Sequence, residues 1–264
     1  MRYTVSGCEA VHVKIAFAAA GFITGNSAYN KDKIIQLLSQ FSGKADMVVF
    51  GEAFLQGFNS LCWDFEKDAS MAVSAYQPQF GTSLIDEIRS AARKNNIAVS
   101  FGYIERDGDV LYSSQLTVGS DGNTVNNFRR VSPGWKEVVA DSHYREETEF
   151  PVFQYGGKTF SVGLCGDLWY EENLRKISSL QCDVVLWPVY TDYHFREWNT
   201  SAKYEYAEQI KNISTDVLYV NSVCMDPEHG DDDEIARGGA VHFKNGTIVQ
   251  ELASGAEGVL VVEL

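Results

Sequence analysis

The sequence predicts an α/β protein, a four-layer α-β-β-α sandwich built from two similar β-α-β-α-β-β halves. Short apolar runs alternate with amphipathic helical segments along the chain, which is the pattern of strands connected by helices. The segments ADMVVFGEAF (45–54) and CDVVLWPVYT (182–191) repeat one order: a small residue, Asp, a β-branched run, an aromatic residue and a turn. No linker rich in Pro, Gly or Ser divides the halves, so we expect a single domain over residues 1–264.

The first half predicts strands from its apolar runs and helices from apolar residues at helical spacing. The helices are expected at residues 31–42 (KDKIIQLLSQFS) and 82–96 (TSLIDEIRSAARKNN), the second being rich in good helix formers. The strands are expected at residues 11–20, 45–52, 96–105, 109–119 and 122–130. The last two are joined by the turn signal SDGN.

The second half repeats this order. Its strands are expected at residues 158–167, 182–189, 216–225, 238–245 and 246–254, and its helices at residues 172–181 and 200–214. Each half leaves one sheet face without helices, and packing the two bare faces together gives the four layers. Two independent α/β domains are the alternative, which the missing linker disfavours.

Charge and metal-ligand patterns exclude several classes of protein. The formal net charge of −14 disfavours a nucleic-acid partner. The five cysteines, one of them Cys8, are never at C-x-x-C spacing, which argues against a disulfide framework and fits the reducing cytoplasm. The five histidines show no ligand spacing and the acidic run 230–234 resembles a solvated loop, so we expect no metal. No apolar stretch is long enough to cross a membrane, and residues 13–23 predict a strand better than a signal peptide.

Three chemically interesting groups fall at predicted strand ends, where ligands of α/β sheets bind. They are Glu52, Cys165 and the segment RRVSPGWKE (129–137). Cys165 is either a packed thiol or a nucleophile, and Gly166 after it permits a sharp turn. Glu52, at the edge of a buried strand, is either a surface acid or the group that takes the thiol proton. A nearby lysine, for which Lys136 is the candidate, would favour the thiolate and stabilise charge on the attacked oxygen.

These residues resemble the nitrilase, or carbon–nitrogen hydrolase, superfamily over nearly the whole chain. Residues 45–58 are similar to the strand that carries the catalytic Glu, and VGLCGDLWYEE (162–172) is similar to the nucleophile motif. The resemblance implies a nitrilase-like sandwich, hydrolysis without metal or cofactor, and a homodimer or higher homo-oligomer. It also implies a Glu-Lys-Cys set, with Cys165 as nucleophile, Glu52 as general base and then acid, and a lysine at the oxyanion. The Gly166 N–H would be the second oxyanion donor.

The sequence departs from the family pattern at the lysine. The family has a Tyr-Arg-Lys run followed by His, whereas residues 128–132 read FRRVS and place Arg130 at the lysine position. Either Lys136 takes the role or Arg130 does. We favour Lys136, because a compact ammonium suits a single oxygen. Glu137 resembles the family's second acid, which orients the lysine; a solvated loop glutamate is the alternative.

We therefore expect a cysteine-dependent hydrolase that cleaves an aliphatic amide or N-carbamoyl compound through a thioester and releases ammonia or an amine. Trp169, Tyr190 and Phe54 either line the substrate pocket or belong to the core, and Asp167 is expected to play a structural part. Nitrile hydrolysis and acyl transfer would use the same residues. A degenerate binding protein is the alternative that the Arg130 departure supports. A metal-dependent phosphodiesterase is disfavoured by the scattered histidines.

Overall fold

Two six-stranded sheets dominate the computed structural model, which describes residues 12–57, 62–230 and 233–264. The strands are β1 (Lys14–Ala19), β2 (Gly21–Phe22), β3 (Met47–Phe50), β4 (Ala98–Asp107), β5 (Val110–Val118), β6 (Thr124–Arg129), β7 (Val152–Tyr155), β8 (Lys158–Val162), β9 (Val184–Val189), β10 (Asp216–Asn221), β11 (Val223–Cys224), β12 (Ala240–Lys244), β13 (Thr247–Leu252) and β14 (Gly258–Glu263). The helices are α1 (Ser27–Phe41), α2 (Phe65–Met71), α3 (Ser83–Asn95), α4 (Glu171–Ser179), α5 (Phe195–Glu197) and α6 (Lys203–Gln209), with a π-helical turn at Trp198–Ala202 and 3-10 turns at Pro78–Phe80 and Cys165–Trp169. Cys8 and part of the acidic run 230–234 lie outside the described residues.

The two sheets have the same strand order, as the repeated pattern in the sequence predicts. The first runs β14-β1-β3-β4-β5-β6 and the second β7-β8-β9-β10-β12-β13. In each sheet three parallel strands lie in the middle, β1-β3-β4 and β8-β9-β10, and antiparallel strands flank them. The outer strand beside β8 is β7, its neighbour in the chain, whereas the one beside β1 is β14, from the far end of the described chain. The sequence reasoning predicted neither β7 nor β14.

Apolar side chains on both faces of the first sheet produce the layers, because successive residues of a strand point to opposite faces of its sheet. Phe17 and Val49 of the first sheet share one buried cluster with residues of the second sheet such as Leu218. Their neighbours Ala16 and Val48 belong to a second cluster that contains apolar residues of α1 and α3. The predicted sandwich, with helices outside and two sheets between them, is confirmed.

Local capping explains where two helices of the first half begin, whereas the predicted helix 200–214 is divided between the π-helical turn Trp198–Ala202 and α6, which ends at Gln209. The first helix begins at Ser27, four residues before its predicted start at Lys31, because the Asn26 side chain accepts a hydrogen bond from the Tyr29 N–H. The short α2, which was not predicted, is capped in the same way by Asp64. Among the described residues, no helix is both long and apolar enough to cross a membrane.

Candidate active site

Glu52 lies in the turn that follows β3 and points into the interior, with 2% of its surface exposed. Ala53 after it has a φ of 47°, a left-handed conformation that reverses the chain at a cost of about 1 kcal/mol or more. The turn fits because Gly102 has no side chain: a Cβ there would lie 2.2 Å from the Ala53 nitrogen. The Glu52 N–H donates to the carbonyl of Val189 at the end of β9, so the turn reaches across to the second sheet.

Cys165 occupies an equivalent turn after β8, where it starts the 3-10 turn Cys165–Trp169. Its φ of 46° is also left-handed, and strained backbone of this kind concentrates at functional sites. The indole of Trp187 donates to the Cys165 carbonyl at 2.8 Å. The thiol points toward the end of β9, with Sγ 3.4 Å from the carbonyl oxygen of Tyr190.

Arg130 connects these two turns. It follows β6 and is 3% exposed, and its Nη1 donates to Glu52 Oε1 at 2.8 Å. Its Nε donates to the Ser132 hydroxyl at 2.8 Å, which fixes the plane of the guanidinium. Its Nη2 lies beside Gly166, 2.4 Å from where a Cβ would stand. A carboxylate, a guanidinium and a thiol therefore meet at the carboxyl ends of strands from both sheets.

The polar shell around this group ties separate segments together. Ser113 of β5 donates its hydroxyl hydrogen to Glu52 Oε1 at 2.8 Å. Asp167 Oδ1 accepts from the N–H groups of Val131 and Ser132 at 3.1 and 2.7 Å, and its Oδ2 accepts from the Leu164 N–H at 2.9 Å. Asp167 thus clamps the segment after Arg130 to the turn that holds Cys165. Desolvation raises the pKa of this fully buried carboxyl to about 6, although the Arg130 charge and the hydrogen bonds oppose the rise.

The electrostatic environment keeps the free thiol protonated. Desolvation raises the pKa of Cys165 to about 12, and the negative charge of Glu52 adds to the rise, whereas Arg130 lowers it. Desolvation also lowers the pKa of Arg130, but the charges of Glu52, Cys165 and Asp167 outweigh it and keep that pKa above its usual value. Arg130 is therefore a permanent cation, and a thiol proton has to leave during any attack by Cys165.

Alkylation of Cys165 by iodoacetamide is expected to accelerate steadily with pH up to about 10. With a thiol pKa of about 12, the thiolate fraction grows about tenfold per pH unit over this range, whereas an ordinary thiol levels off near its pKa of about 8.5. The rate at the Cys165 peptide, followed by mass spectrometry from pH 6 to 10, measures this. A plateau below pH 9 would contradict the expected environment of the thiol.

Lys136 lies in a different polar group. Its ammonium donates to the Tyr144 carbonyl at 2.7 Å and pairs with Glu146 at 2.8 Å. The Trp135 indole donates to the same Glu146 carboxylate at 3.0 Å. Among the described residues, no hydrogen bond or ion pair joins Lys136 to Glu52 or Cys165. The structure therefore places Arg130, and not Lys136, beside the thiol and the carboxylate.

The other predicted site residues are divided between the site and its surroundings. Gly166 lies in the site against Arg130, and Tyr190 contributes its carbonyl. Glu137 is exposed, and its N–H donates to the Cys62 carbonyl. Trp169 is 41% exposed and packs edge-on against Tyr206.

Two site residues were not predicted as such, namely Ser113 and Ser132. Phe54 is a fully buried core residue. The sequence could have indicated Ser132, because it lies only two residues after Arg130 and is therefore close enough to accept a hydrogen bond from it. Ser113 had none, because its place depends on how β5 pairs with β4 and β6.

Gly166→Ala is expected to lower kcat/KM about 100-fold or more while the protein stays folded. The new methyl group would stand 2.4 Å from Arg130 Nη2, so the guanidinium has to move away from Glu52, and loss of one aligned donor at a reacting centre costs about 10²–10³. Gly230→Ala is the matched control, because nothing lies within 4 Å of its Cβ position. Unchanged kcat/KM in Gly166→Ala would show that the position of Arg130 does not matter.

Comparison with known proteins gives a consistent set of similarities. The sequence model of the carbon–nitrogen hydrolase family matches residues 14–264. The chain is 27% identical over 194 residues to a bromoxynil-specific nitrilase of Klebsiella pneumoniae subsp. ozaenae, covering 66% of this chain and 52% of that protein. It is 27% identical over 284 residues to an aliphatic nitrilase of Rhodococcus rhodochrous, covering 96% and 72%. The chain thus spans about half the length of the first of these relatives.

Solved structures share the fold. An amidase from Nesterenkonia sp. superposes with a TM-score of 0.75 at 21% identity, over 98% of this chain and 94% of that one. A glutamine-dependent NAD+ synthetase from Acinetobacter baumannii superposes with a TM-score of 0.76 at 23% identity, over 96% of this chain and 45% of that one. A variant of the Nesterenkonia amidase carries the acetamide moiety of fluoroacetamide covalently at its active-site cysteine.

Proposed function

Because the chain belongs to the carbon–nitrogen hydrolase family, we propose that it hydrolyses a C–N bond of a small non-peptide amide or N-carbamoyl compound, with Cys165 as the nucleophile. One observation carries the proposal. Arg130 donates to Glu52 at 2.8 Å and lies against Gly166, the residue after Cys165. A nucleophile, a proton acceptor and a fixed cation are thus gathered at one place, which is the set that acyl transfer needs.

The first half of the reaction forms a thioester. The Cys165 sulfur attacks the carbonyl carbon while its proton passes to the Glu52 carboxylate, since the thiol, with a pKa of about 12, does not ionise by itself at neutral pH. The carbonyl π electrons move to oxygen and give a tetrahedral oxyanion. When the oxyanion collapses, the C–N bond breaks and Glu52 returns the proton to the nitrogen, so ammonia or an amine leaves. The acyl group stays on the Cys165 sulfur.

The second half consumes water. Glu52, again a carboxylate, takes a proton from a water molecule, whose oxygen attacks the thioester carbon. A second tetrahedral oxyanion collapses, the C–S bond breaks and the proton on Glu52 returns to the sulfur. The products are the free carboxylic acid and the original thiol, so Glu52 serves as base and acid in each half.

Arg130 is the group we propose to stabilise both oxyanions, together with the N–H of Gly166. The guanidinium is buried, permanently charged and held in one orientation by Glu52 and Ser132, and a fixed charge in a dry site stabilises an anion without rearranging. An arginine does not exchange protons near neutral pH, which leaves proton transfer to Glu52 alone. The catalytic role favoured for Lys136 from the sequence is not part of this proposal, because its ammonium pairs with Glu146.

An ammonia-release screen tests the proposed function. Purified protein is incubated with aliphatic amides, N-carbamoyl compounds and nitriles, and ammonia is measured beside the Cys165→Ala variant as the blank. We expect release from an amide or carbamoyl compound in the wild type only. If ammonia release is the same in both proteins for every compound, the alternative of a binding protein on a degenerate scaffold takes its place.

Nitrile hydrolysis is the second candidate, and the nitrilase relatives favour it. A nitrile would react with Cys165 at the same position to give a thioimidate, which water converts to the thioester with loss of ammonia. We rank it second because the structures that match over more than 90% of both chains include an amidase. The nitrile arm of the screen separates the two. Acyl transfer to an acceptor other than water, assembly as a homo-oligomer and a cytoplasmic location stay predictions.

A further inference from the structure

Three potential metal ligands converge in the segment that begins with β11. They are Cys224, Asp226 and His229, and one ligand atom of each lies within 4.8 Å of the others. Cys224 and Asp226 are buried and His229 is half-buried. The chain spacing Cys-x-Asp-x-x-His is short, so the ligands depend on a single loop. In the parts of the chain that the structure describes, no other cluster of three or more Cys, His, Asp and Glu ligand atoms is found.

The donor set is chemically specific. One thiolate, one imidazole and one carboxylate suit Zn²⁺, whereas Ca²⁺ and Mg²⁺ require oxygen ligands alone. Tetrahedral bonds of about 2.0–2.3 Å place neighbouring zinc ligands about 3.3–3.6 Å apart. The ligand atoms, within 4.8 Å of one another, have to approach by about one ångström, which small rotations of the three side chains supply.

The side chains of the candidate ligands are themselves held by hydrogen bonds, as metal-binding residues commonly are. The Asp233 carboxylate lies 3.2 Å from His229 Nδ1. When Nδ1–H donates to this carboxylate, the imidazole is in the tautomer whose Nε2 carries the lone pair, and zinc-bound histidines commonly have such a carboxylate partner. The Asp233 carboxylate is itself held by the Gly230 N–H at 2.8 Å. The Asp226 carboxylate is fixed by the Thr24 N–H, which donates to Oδ1 at 2.7 Å.

We propose that Cys224, Asp226 and His229 bind one Zn²⁺ ion, with a water molecule as the fourth ligand. The S–H bond of Cys224 breaks, the Zn–S bond forms and the proton passes to the solvent, so the oxidation states of metal and sulfur do not change. The ion is distinct from the catalytic group, whose thiol is Cys165.

The position of the proposed ion indicates that it would stabilise the fold. Strand β11 pairs with β2, which joins Cys224 to Phe22 and so the second half of the chain to the first. Thr24, which holds Asp226, also belongs to the first half. A zinc ion at this place fastens the loop after β11 where the two halves meet, and the bound ion stabilises the folded protein by mass action.

Cobalt spectroscopy tests the site without relying on activity. The full-length protein is freed of metal with a chelator and titrated with Co²⁺, which gives a thiolate-to-cobalt charge-transfer band in the near ultraviolet when a cysteine is a ligand. We expect the band in wild type and in Cys165→Ala, and its loss in Cys224→Ser and in His229→Gln. Cys182→Ser and His194→Gln are the matched controls, since both residues lie outside the cluster, and they keep the band.

Zinc affinity and thermal stability complete the test. Zn²⁺ at about 100 times its Kd is expected to raise the Tm of wild type by about 5 °C and to leave that of His229→Gln unchanged. Asp233→Asn, which keeps all three ligands, is expected to weaken zinc binding about 10–100-fold. The proposal is overturned if wild type shows no band, if the band survives in Cys224→Ser, or if it vanishes in Cys165→Ala. None of these results bears on the proposed hydrolase activity.

Discussion

Replacing Cys165 with alanine is expected to lower kcat by at least about 10⁴-fold, because removing the proposed nucleophile ends covalent turnover and leaves only substrate binding and oxyanion stabilisation. The variant should fold normally. The left-handed φ of 46° at this position strains alanine and cysteine alike, since neither side chain branches at Cβ. Steady-state ammonia release measures the loss of activity. A Tm close to that of wild type shows that this loss comes from the missing thiol and not from unfolding.

Cys182→Ala is the matched control for this variant. Cys182 is also a buried thiol, and it lies just before β9, but nothing connects it to Glu52 or Arg130 among the described contacts. We expect its kcat within about twofold of wild type. Intact-mass measurements after brief incubation with substrate add a second readout, since wild type should carry the acyl group and Cys165→Ala should not. An acyl adduct on Cys165→Ala, or turnover within tenfold of wild type, would assign the nucleophile to another residue.

The duplicated sheet and two of the site residues follow from the sequence because they depend on local patterns. Glu52 and Cys165 each end a short apolar run, and the carboxyl ends of parallel strands meet at one rim of a sheet. The repeated Asp and β-branched residues at 45–54 and 182–191 are sufficient to suggest two equal halves. The two strands that complete the sheets, β7 and β14, escape this reasoning. Strand β7 reads VFQY and is interrupted by the polar Gln154, so it lacks the continuous apolar run of a buried strand. Strand β14 carries such a run at residues 259–262, but it lies outside the repeated β-α-β-α-β-β order, and its pairing with β1 joins two distant segments of the chain.

The choice between Arg130 and Lys136 depends on loop geometry that no local pattern records. Whether Lys136 reaches the thiol is decided by Glu146, ten residues further along the chain, which binds its ammonium instead. Arg130 is directed inward by the end of β6, where its N–H donates to the Ser113 carbonyl. Its guanidinium also finds a buried counter-ion in Glu52. Such pairings arise from tertiary contacts between distant segments, and the preference for a compact ammonium at the oxyanion, which favoured Lys136, takes no account of them.

Arg130→Ala is expected to lower kcat/KM about 10³-fold or more, since it removes the cation proposed to stabilise both oxyanions. The same change leaves Glu52 as a buried charge without its ion-pair partner, which costs about 3–5 kcal/mol of folding stability when the pair is buried. A lower Tm is therefore expected beside the lower activity. Arg130→Lys separates the two effects because it keeps the charge beside Glu52. We expect Arg130→Lys to retain most of the folding stability and to be about 10-fold more active than Arg130→Ala. It should stay below wild type, because a single ammonium cannot replace a guanidinium that donates to both Glu52 and Ser132.

Lys136→Ala is the matched comparison, because it removes a cation from the same segment of chain. Its ammonium pairs with Glu146 and donates to the Tyr144 carbonyl, and none of the described contacts joins it to Glu52 or Cys165, so kcat/KM is expected to stay within about fivefold of wild type. Measuring kcat and KM for the three variants on one substrate, with Tm as a check on folding, decides between the two cations. If Lys136→Ala loses 100-fold or more while Arg130→Lys stays near wild type, the oxyanion is stabilised by Lys136 in a conformation that only bound substrate induces. If only Arg130→Ala loses its activity, the buried guanidinium stabilises the oxyanion in this chain, where the family pattern has a lysine.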